Sequence, residues 1–292
     1  MINFFWWNTS LSHKDKQNLS DKDRVIVFQT IKNLIKTYSI DVFVLAEVKN
    51  DDIKDIYDNC DLKGYIIEYN FSSIGKTKFD ICIILKDTIK LESKRIIHAS
   101  KMSKTYKIAM RFDLSLSDNT LIHLFASHWQ SKLQPDSVEK RNFNAHTLRN
   151  HIDELFKKYK EDTNYEPYII LMGDYNDEPF EESISYCLQS SRDDRLVEEK
   201  KELFFNPFWK NLCRQNDDDK HIGTCYYKSG DLTKWKTFDQ IMYSHAFVKS
   251  SNWKYLNIDD RIFVNKELMD LILNTKSKLD HLPIYGIILK NM

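Results

Sequence analysis

Glycine and proline are scarce in this chain, at 6 and 5 of 292 residues. Disordered linkers and collagen-like repeats are rich in one or both, so those classes are excluded. Net charge is lacking too, since 43 Lys and Arg balance 43 Asp and Glu. That argues against a protein that coats nucleic acid by bulk charge, and it leaves room for a local basic groove. No two of the five cysteines, Cys60, Cys82, Cys187, Cys213 and Cys225, have the Cys-x-x-Cys spacing. An odd, scattered set reads as reduced and structural, as expected of a cytoplasmic protein. No apolar run is long enough to span a membrane. The apolar start, Met1 to Asn8, has no basic region before it and reads as a strand rather than a signal peptide. Ile74-Gly75-Lys76-Thr77 lacks the first glycine of a phosphate-binding loop, because Asn70 stands there, and reads as a hairpin loop with two lysines, Lys76 and Lys78.

Hydrophobic residues make up 42% of the chain, enough for a sizeable core. With no linker and no shift in composition, residues 1–292 read as one domain. The stretch that organises it is Ile169-Ile170-Leu171-Met172-Gly173-Asp174-Tyr175-Asn176-Asp177-Glu178-Pro179. Its apolar run predicts a strand buried on both faces. Gly173 breaks the run, and Pro179 prevents regular structure from resuming at once. A buried strand that delivers Asp174 and Asn176 to the rim of a sheet holds a carboxylate beside a neutral amide, a pairing suited to phosphoryl chemistry.

The pattern of an apolar strand ending in one polar residue recurs. Ile2 to Trp7 ends at Asn8, Asp41 to Ala46 ends at Glu47, and Leu121 to Ser127 ends at His128. Strands are also expected at Gly64 to Tyr69, Phe79 to Leu85, Tyr106 to Leu116, Ile222 to Lys228 and Thr237 to Tyr243. The last two read as a pair joined by a turn at Ser229-Gly230-Asp231. Asp239 sits inside an apolar strand and needs a partner there. Asp280-His281 leads into a final apolar strand. Helices are expected from a Ser20 cap to about Tyr38, with Val25, Phe28, Ile31, Leu34 and Ile35 on the buried face, from Ser137 to about Lys160, from Ser183 to Leu188, and over Asn265 to Asn274. Residues 190–220 read as charged and irregular, and Asp217-Asp218-Asp219 as a solvated run without ligand spacing.

Together the polar strand ends hold carboxylates, amides and imidazoles, the set needed for metal-assisted cleavage of a phosphate ester. Oxygen donors suit Mg²⁺ or Mn²⁺ better than zinc. Lys132, Lys140 and Arg141 follow His128 closely and could hold neighbouring phosphates. Trp129 and Tyr175 adjoin the polar residues and could offer stacking faces to bases.

Trp7-Asn8, Glu47, Ser127-His128-Trp129, Gly173-Asp174-Tyr175-Asn176-Asp177-Glu178-Pro179, Phe238-Asp239-Gln240-Ile241 and Asp280-His281-Leu282-Pro283 resemble, in order, the motifs of the endonuclease/exonuclease/phosphatase superfamily, which includes deoxyribonuclease I-like nucleases. The motifs span nearly the whole chain, and the resemblance is nearest to a bacterial branch of unassigned substrate. It implies an α/β fold, a four-layered sandwich of two mixed β-sheets face to face and flanked by helices. It also implies that Glu47, with Asp280 and Asn8, serves a divalent metal. Asp174 would activate the attacking water and Asn176 would position it. His281, oriented by Asp239, would hydrogen-bond the scissile phosphate, with His128 as a second imidazole that Asp80 orients. Ser10 and His128 depart from the abasic-site endonucleases, which usually carry Asp and Tyr there. The activity expected is a metal-dependent phosphodiesterase, most simply a nuclease with a nucleic-acid partner. The alternatives are a phosphatase or phosphodiesterase for a small phosphoester such as an inositol phosphate, and a sphingomyelinase-like enzyme. The absence of a long apolar loop for a bilayer argues against stable membrane association. A binding module without turnover would have lost site residues, and no loss is visible.

Overall fold

The computed structural model describes residues 1–12, 19–75, 77–132, 136–162, 165–213, 222–230, 232–249, 252–258 and 261–291. Two sheets dominate. The first orders its strands Trp253–Tyr255, Ile284–Lys290, Ile2–Asn8, Val42–Ala46, Ile81–Lys86 and Tyr65–Tyr69. The second orders Ser190–Ser191, Phe204–Phe205, Asp239–Ser244, Tyr168–Asp174, Leu121–His128, Lys104–Ser115 and Lys90–Lys101. Both are mixed, with parallel pairs at Ile2–Asn8 with Val42–Ala46 and at Leu121–His128 with Tyr168–Asp174.

The two-residue period of a strand sorts side chains between the layers. From the second sheet, Ile170 and Met172 join Leu124, Ala126 and Ile241 in a core shared with Phe4, Trp6, Val42 and Val44 of the first. The alternate residues Ile169 and Leu171 pack instead with Phe125 and with Leu148, Ile152 and Leu155 of the helix Ser137–Asp162. The sheets therefore face each other with helices outside, the α/β sandwich the sequence implies. No helix among the described residues is long and apolar enough to cross a membrane.

The helix Asp21–Tyr38 begins where expected, because the Ser20 hydroxyl accepts from the Asp23 backbone N–H at 3.2 Å. Val25 is exposed, however, and Val27 takes the buried place. Ser73–Ile74 pairs with Thr77–Lys78, the expected hairpin, although Lys76 lies outside the described residues. Two expectations fail. Cys225–Tyr226 pairs with Trp235–Lys236, not with the next strand. Asp239–Ser244 inserts instead into the second sheet, antiparallel to Tyr168–Asp174. Residues 190–213 are not irregular, since they hold two short edge strands, the helix Asp194–Glu199 and the 3₁₀ turn Pro207–Leu212. Asp217-Asp218-Asp219 and Asp231 lie outside the described residues. The sequence reading also lacks the lysine-rich edge strand Lys90–Lys101 and the helix Asn50–Asn59.

Candidate active site

Register builds the site. Parallel neighbours present their C-terminal ends at one rim, and an antiparallel neighbour presents its N-terminal end there. In the second sheet Asp174 stands level with His128 on one side and with Asp239 on the other. In the first, Asn8 is level with Ala46, so Glu47 follows at the same rim, and Asp80 immediately precedes Ile81, the partner of Ala46. His281 precedes Ile284, which pairs with Trp6. Gly173 is required where the second sheet closes, because a Cβ there would collide with the Ser127 carbonyl. Glu47 and Asn176 both adopt left-handed backbone, at φ +57° and +53°. Non-glycine residues in that conformation are strained, and the surrounding rim must hold them in it.

The polar groups form a connected set across the gap between the sheets. Asn8 Nδ2 donates to Asp174 Oδ2 at 3.2 Å and more weakly to Glu47 Oε1 at 3.5 Å. Asp174 Oδ1 accepts from the Asn176 backbone N–H at 3.0 Å, and Asn176 Nδ2 donates to the Trp129 carbonyl at 3.1 Å. His281 Nδ1 lies 2.7 Å from Asp239 Oδ2, while Asp239 Oδ1 accepts from Trp6 Nε1 at 2.8 Å. The fully buried Asp239 thus has the partners its strand demands. His281 Nε2 points back toward Asp174 Oδ2 at 3.6 Å and Asp280 Oδ1 at 3.7 Å. His128 Nε2 stands 3.6 Å from Glu47 Oε1 and 4.0 Å from Asp174 Oδ2. Asp80 Oδ2 lies 3.1 Å from His128 Nδ1.

Burial pushes the Asp174 carboxyl up, opposed by His281 and His128 and reinforced by Asp239. Burial alone would push the His281 imidazolium down, but Asp239, followed by Cys225 and Asp174, reverses this and holds it well above its ordinary value. The result is a pair suited to proton work: a carboxylate made more basic beside an imidazole kept charged.

The side chains Asn8, Glu47, Asp80, His128, Asp174, Asn176, Asp280 and His281 line one cleft of about 890 Å³. The structure therefore gathers the expected catalytic and metal-site residues at one rim, Asp239 standing directly behind His281. Three expected substrate contacts are corrected. Arg141 is buried, pairs with Asp177 Oδ2 at 2.7 Å and does not reach the cleft. Tyr175 is wholly buried and Trp129 is 2% exposed. They pack edge to face, with ring centroids 4.9 Å apart at 84°; Trp129 borders the cleft, but with 2% of its surface exposed it offers no open ring face to a base. Lys132 does line the cleft, bonded to Glu181 at 2.6 Å. Sequence reasoning missed Lys107, which is buried, bonded to Asp80 and 3.2 Å from His128 Nδ1. Its signal was a lone charge directly before the apolar run Ile108-Ala109-Met110. Trp6 was read only as strand core, although its indole N–H fixes Asp239.

A sequence model described as the Endonuclease/Exonuclease/phosphatase family matches residues 7–284. The chain belongs to that family. A search of curated proteins found no match. Among solved structures, the human Nocturnin catalytic domain with bound sulfate superposes with a TM-score of 0.64 at 16% identity, covering 99% of this chain and 94% of that one. Zebrafish (D. rerio) TDP2 complexed with a single-strand DNA product gives 0.60 at 14%, covering 99% and 98%. A mannosyl-6-phosphatase from Bacteroides thetaiotaomicron gives 0.62 at 15%, covering 99% and 100%. At these identities the similarity establishes the shared fold alone.

Proposed function

We propose that the protein is a Mg²⁺- or Mn²⁺-dependent phosphodiesterase that cleaves nucleic acid. The observation that carries the reading is the link Glu47–Asn8–Asp174 across the two sheets, with His281 Nε2 facing the same Asp174 oxygen. The donor set fits a hard cation. Glu47, Asp174, Asp239 and Asp280, with Asp80, outweigh Lys107 and the two imidazoles, and the amide of Asn8 adds a further oxygen. Glu47, Asp280 and Asn8 would hold the ion, which would neutralise charge on the phosphate and on the group leaving it. Asp174 accepts the proton of the attacking water, and the Asn176 backbone N–H keeps that carboxylate oriented. The His281 imidazolium donates from Nε2 to a phosphate oxygen, with its ring fixed through Nδ1 by Asp239. His128, held by Asp80 and Lys107, offers a second donor.

Nucleic acid is favoured by the cleft walls. Lys104, Lys132, Lys140 and Lys236 line them, with Tyr106, Tyr227 and Phe238 between, and phosphates flanking the scissile one would lie within reach of that rim. One observation favours a smaller phosphoester instead: Lys132 and Lys236 are already paired with Glu181 and Glu178, which reduces the field a polyanion would meet. A substrate panel at one Mg²⁺ concentration separates the two readings. It holds single- and double-stranded DNA, RNA, sphingomyelin, inositol phosphates and a sugar phosphate. Cleavage of a nucleic acid is expected. Turnover of phosphomonoesters alone would overturn the nuclease reading and leave the hydrolytic site standing.

A further inference from the structure

On one wall of the cleft Cys225 meets Asp280 and His281. One ligand atom from each, a sulfur, a carboxylate oxygen and a ring nitrogen, all lie within 4.8 Å of one another. Hydrolysis as derived above gives the sulfur no contact with the phosphate, although Cys225 stands among the groups that hold His281 charged. The backbone fixes the trio: Cys225 and His281 are bridge partners, Tyr226 N donates to the Asp280 carbonyl at 2.7 Å and Leu282 N donates to the Thr224 carbonyl at 2.8 Å. Cys225 and His281 stand directly opposite on two short antiparallel segments and leave the same face, and the neighbouring Asp280 carboxylate reaches within 4.8 Å of both. All three residues border the cleft, which gives an ion an entry path.

Sulfur, imidazole and carboxylate together suit a borderline-soft cation, not the hard ion suited to an all-oxygen set. With His281 Nδ1 held by Asp239 at 2.7 Å, Nε2 is the nitrogen left to an ion, and it stands 3.7 Å from Asp280 Oδ1. A carboxylate behind the liganding imidazole is the usual support for zinc-bound histidine. Tetrahedral zinc spaces its ligand atoms roughly 3.3–3.8 Å apart, so the trio closes on an ion by side-chain adjustment of about 1 Å. We propose that Cys225, Asp280 and His281 form a second, inhibitory site for zinc-class cations, which withdraws His281 from the hydrolytic site when filled. Binding exchanges one S–H bond for one S–metal bond and the Nε2–H bond of the His281 imidazolium for one N–metal bond; both protons pass to solvent, and no electron is transferred. Solvent fills the fourth position.

The inhibition half of this inference rests on the proposed hydrolysis, and the binding half does not. The test is a Co²⁺ titration of the full chain in excess Mg²⁺, followed by the near-ultraviolet absorption of a cobalt–thiolate bond. The band is expected in the parent and in Cys213→Ser, which removes the exposed thiol, and is expected to be lost in Cys225→Ser and Cys225→Ala. No band in the parent, or a band that survives in folded Cys225 variants, overturns the site. In parallel, Zn²⁺ should inhibit Mg²⁺-dependent turnover of a generic phosphodiester. Measured against its own turnover without Zn²⁺, Cys225→Ser should need roughly 10–100-fold more Zn²⁺ for the same fractional inhibition. An unchanged inhibition curve overturns the regulatory role. A protein that shows the cobalt band but never turns over phosphodiester refutes the hydrolytic reading and leaves the cation site intact.

Discussion

Asp239→Asn is the most informative single substitution. Asp239 is wholly buried and accepts twice, from Trp6 Nε1 at 2.8 Å through one oxygen and from His281 Nδ1 at 2.7 Å through the other. An amide of the same shape keeps one acceptor and turns a donor toward the other partner. While His281 carries a proton on Nδ1, two donors then oppose each other in a buried space, at a cost of about 1–3 kcal/mol, and the ring relieves it by releasing that proton and leaving Nδ1 as an acceptor. The lost negative charge matters more to function, since Asp239 is foremost among the groups that hold the His281 imidazolium well above its ordinary value against burial. Without it the ring loses its charge, and kcat should fall roughly 10²–10⁴-fold, the usual share of a positioned acid or base. The fold should survive, because the volume is unchanged. Asp239→Ala adds a cavity and leaves both donors unpaired, so it should cost about 3–5 kcal/mol. The assays are steady-state hydrolysis of a phosphodiester in Mg²⁺ and urea unfolding of the three proteins. An Asn variant within a few-fold of the parent in kcat would refute the proposed task of His281, whatever its stability.

Four further expectations follow from the same geometry. Chelator should abolish turnover and Mg²⁺ or Mn²⁺ should restore it, with Glu47→Gln slowed by orders of magnitude and less responsive to metal; full activity in chelator would remove the metal from the scheme. Gly173→Ala should destabilise by about 1–3 kcal/mol or more, because the new methyl meets the Ser127 backbone, and an unchanged thermal midpoint would contradict that. Asp113 lies far from the cleft; burial would raise its carboxyl, but hydrogen bonds from His123, Ser93 and Arg111 hold it well below the usual range, so its stabilisation is present above the unfolded value of about 4 and fades as pH falls through the folded one. Asp113→Asn should therefore be less stable than the parent near pH 7 by about 3–5 kcal/mol, with a gap in urea unfolding that narrows in acid and does not widen; a pH-independent gap would sink the argument. Lys132→Ala with Lys236→Ala should flatten the salt dependence of nucleic-acid binding, and an identical slope would remove both from the substrate path.

What could be read from the sequence was the repeated form: apolar run, then one polar residue. Asn8, Glu47, His128 and Asp174 each close such a run, and register alone carries them to the same rim. Asp239 was legible for the opposite reason, as a charge inside an apolar strand. The failures have a common origin in side-chain direction beyond the strand end. Trp129 and Tyr175 each follow a site residue directly, and adjacency suggested a shared surface. In an extended chain neighbouring side chains point to opposite faces, so residues flanking a cleft residue turn into the core, where these two rings meet each other. Arg141 fails similarly, because helical periodicity turns it inward to Asp177. The edge strand Lys90–Lys101 was missed because register shifts at Leu91/Ser93 and Ile97/His98 break the two-residue alternation by which a strand is recognised.

On the proposed reading, chemistry and selectivity sit on different parts of this fold. The residues proposed to act on the phosphate end strands whose register is fixed along their whole length, and moving any of them means slipping a sheet. The lysines and aromatic rings proposed to meet the rest of the substrate sit elsewhere. Lys104 and Tyr106 are at the hairpin end of the second sheet, and Tyr227 and Lys236 lie at or beside the small Cys225–Tyr226 and Trp235–Lys236 ladder. The Thr77 hydroxyl ties the Ser73–Lys78 hairpin to the Thr105 carbonyl at 2.8 Å. The Cys225–Tyr226 ladder is joined to the site through backbone, by the Cys225–His281 bridge and the Tyr226 N–H to the Asp280 carbonyl, whereas the side chains of Lys104, Tyr227 and Lys236 make none of the bonds among Asn8, Asp174 and His281. Exchanging Lys104, Tyr227 or Lys236 should accordingly alter KM and the ranking of substrates more than kcat on a minimal phosphodiester. A proportional loss on all substrates, minimal ones included, would show that the walls also support the reacting centre and that the division does not hold.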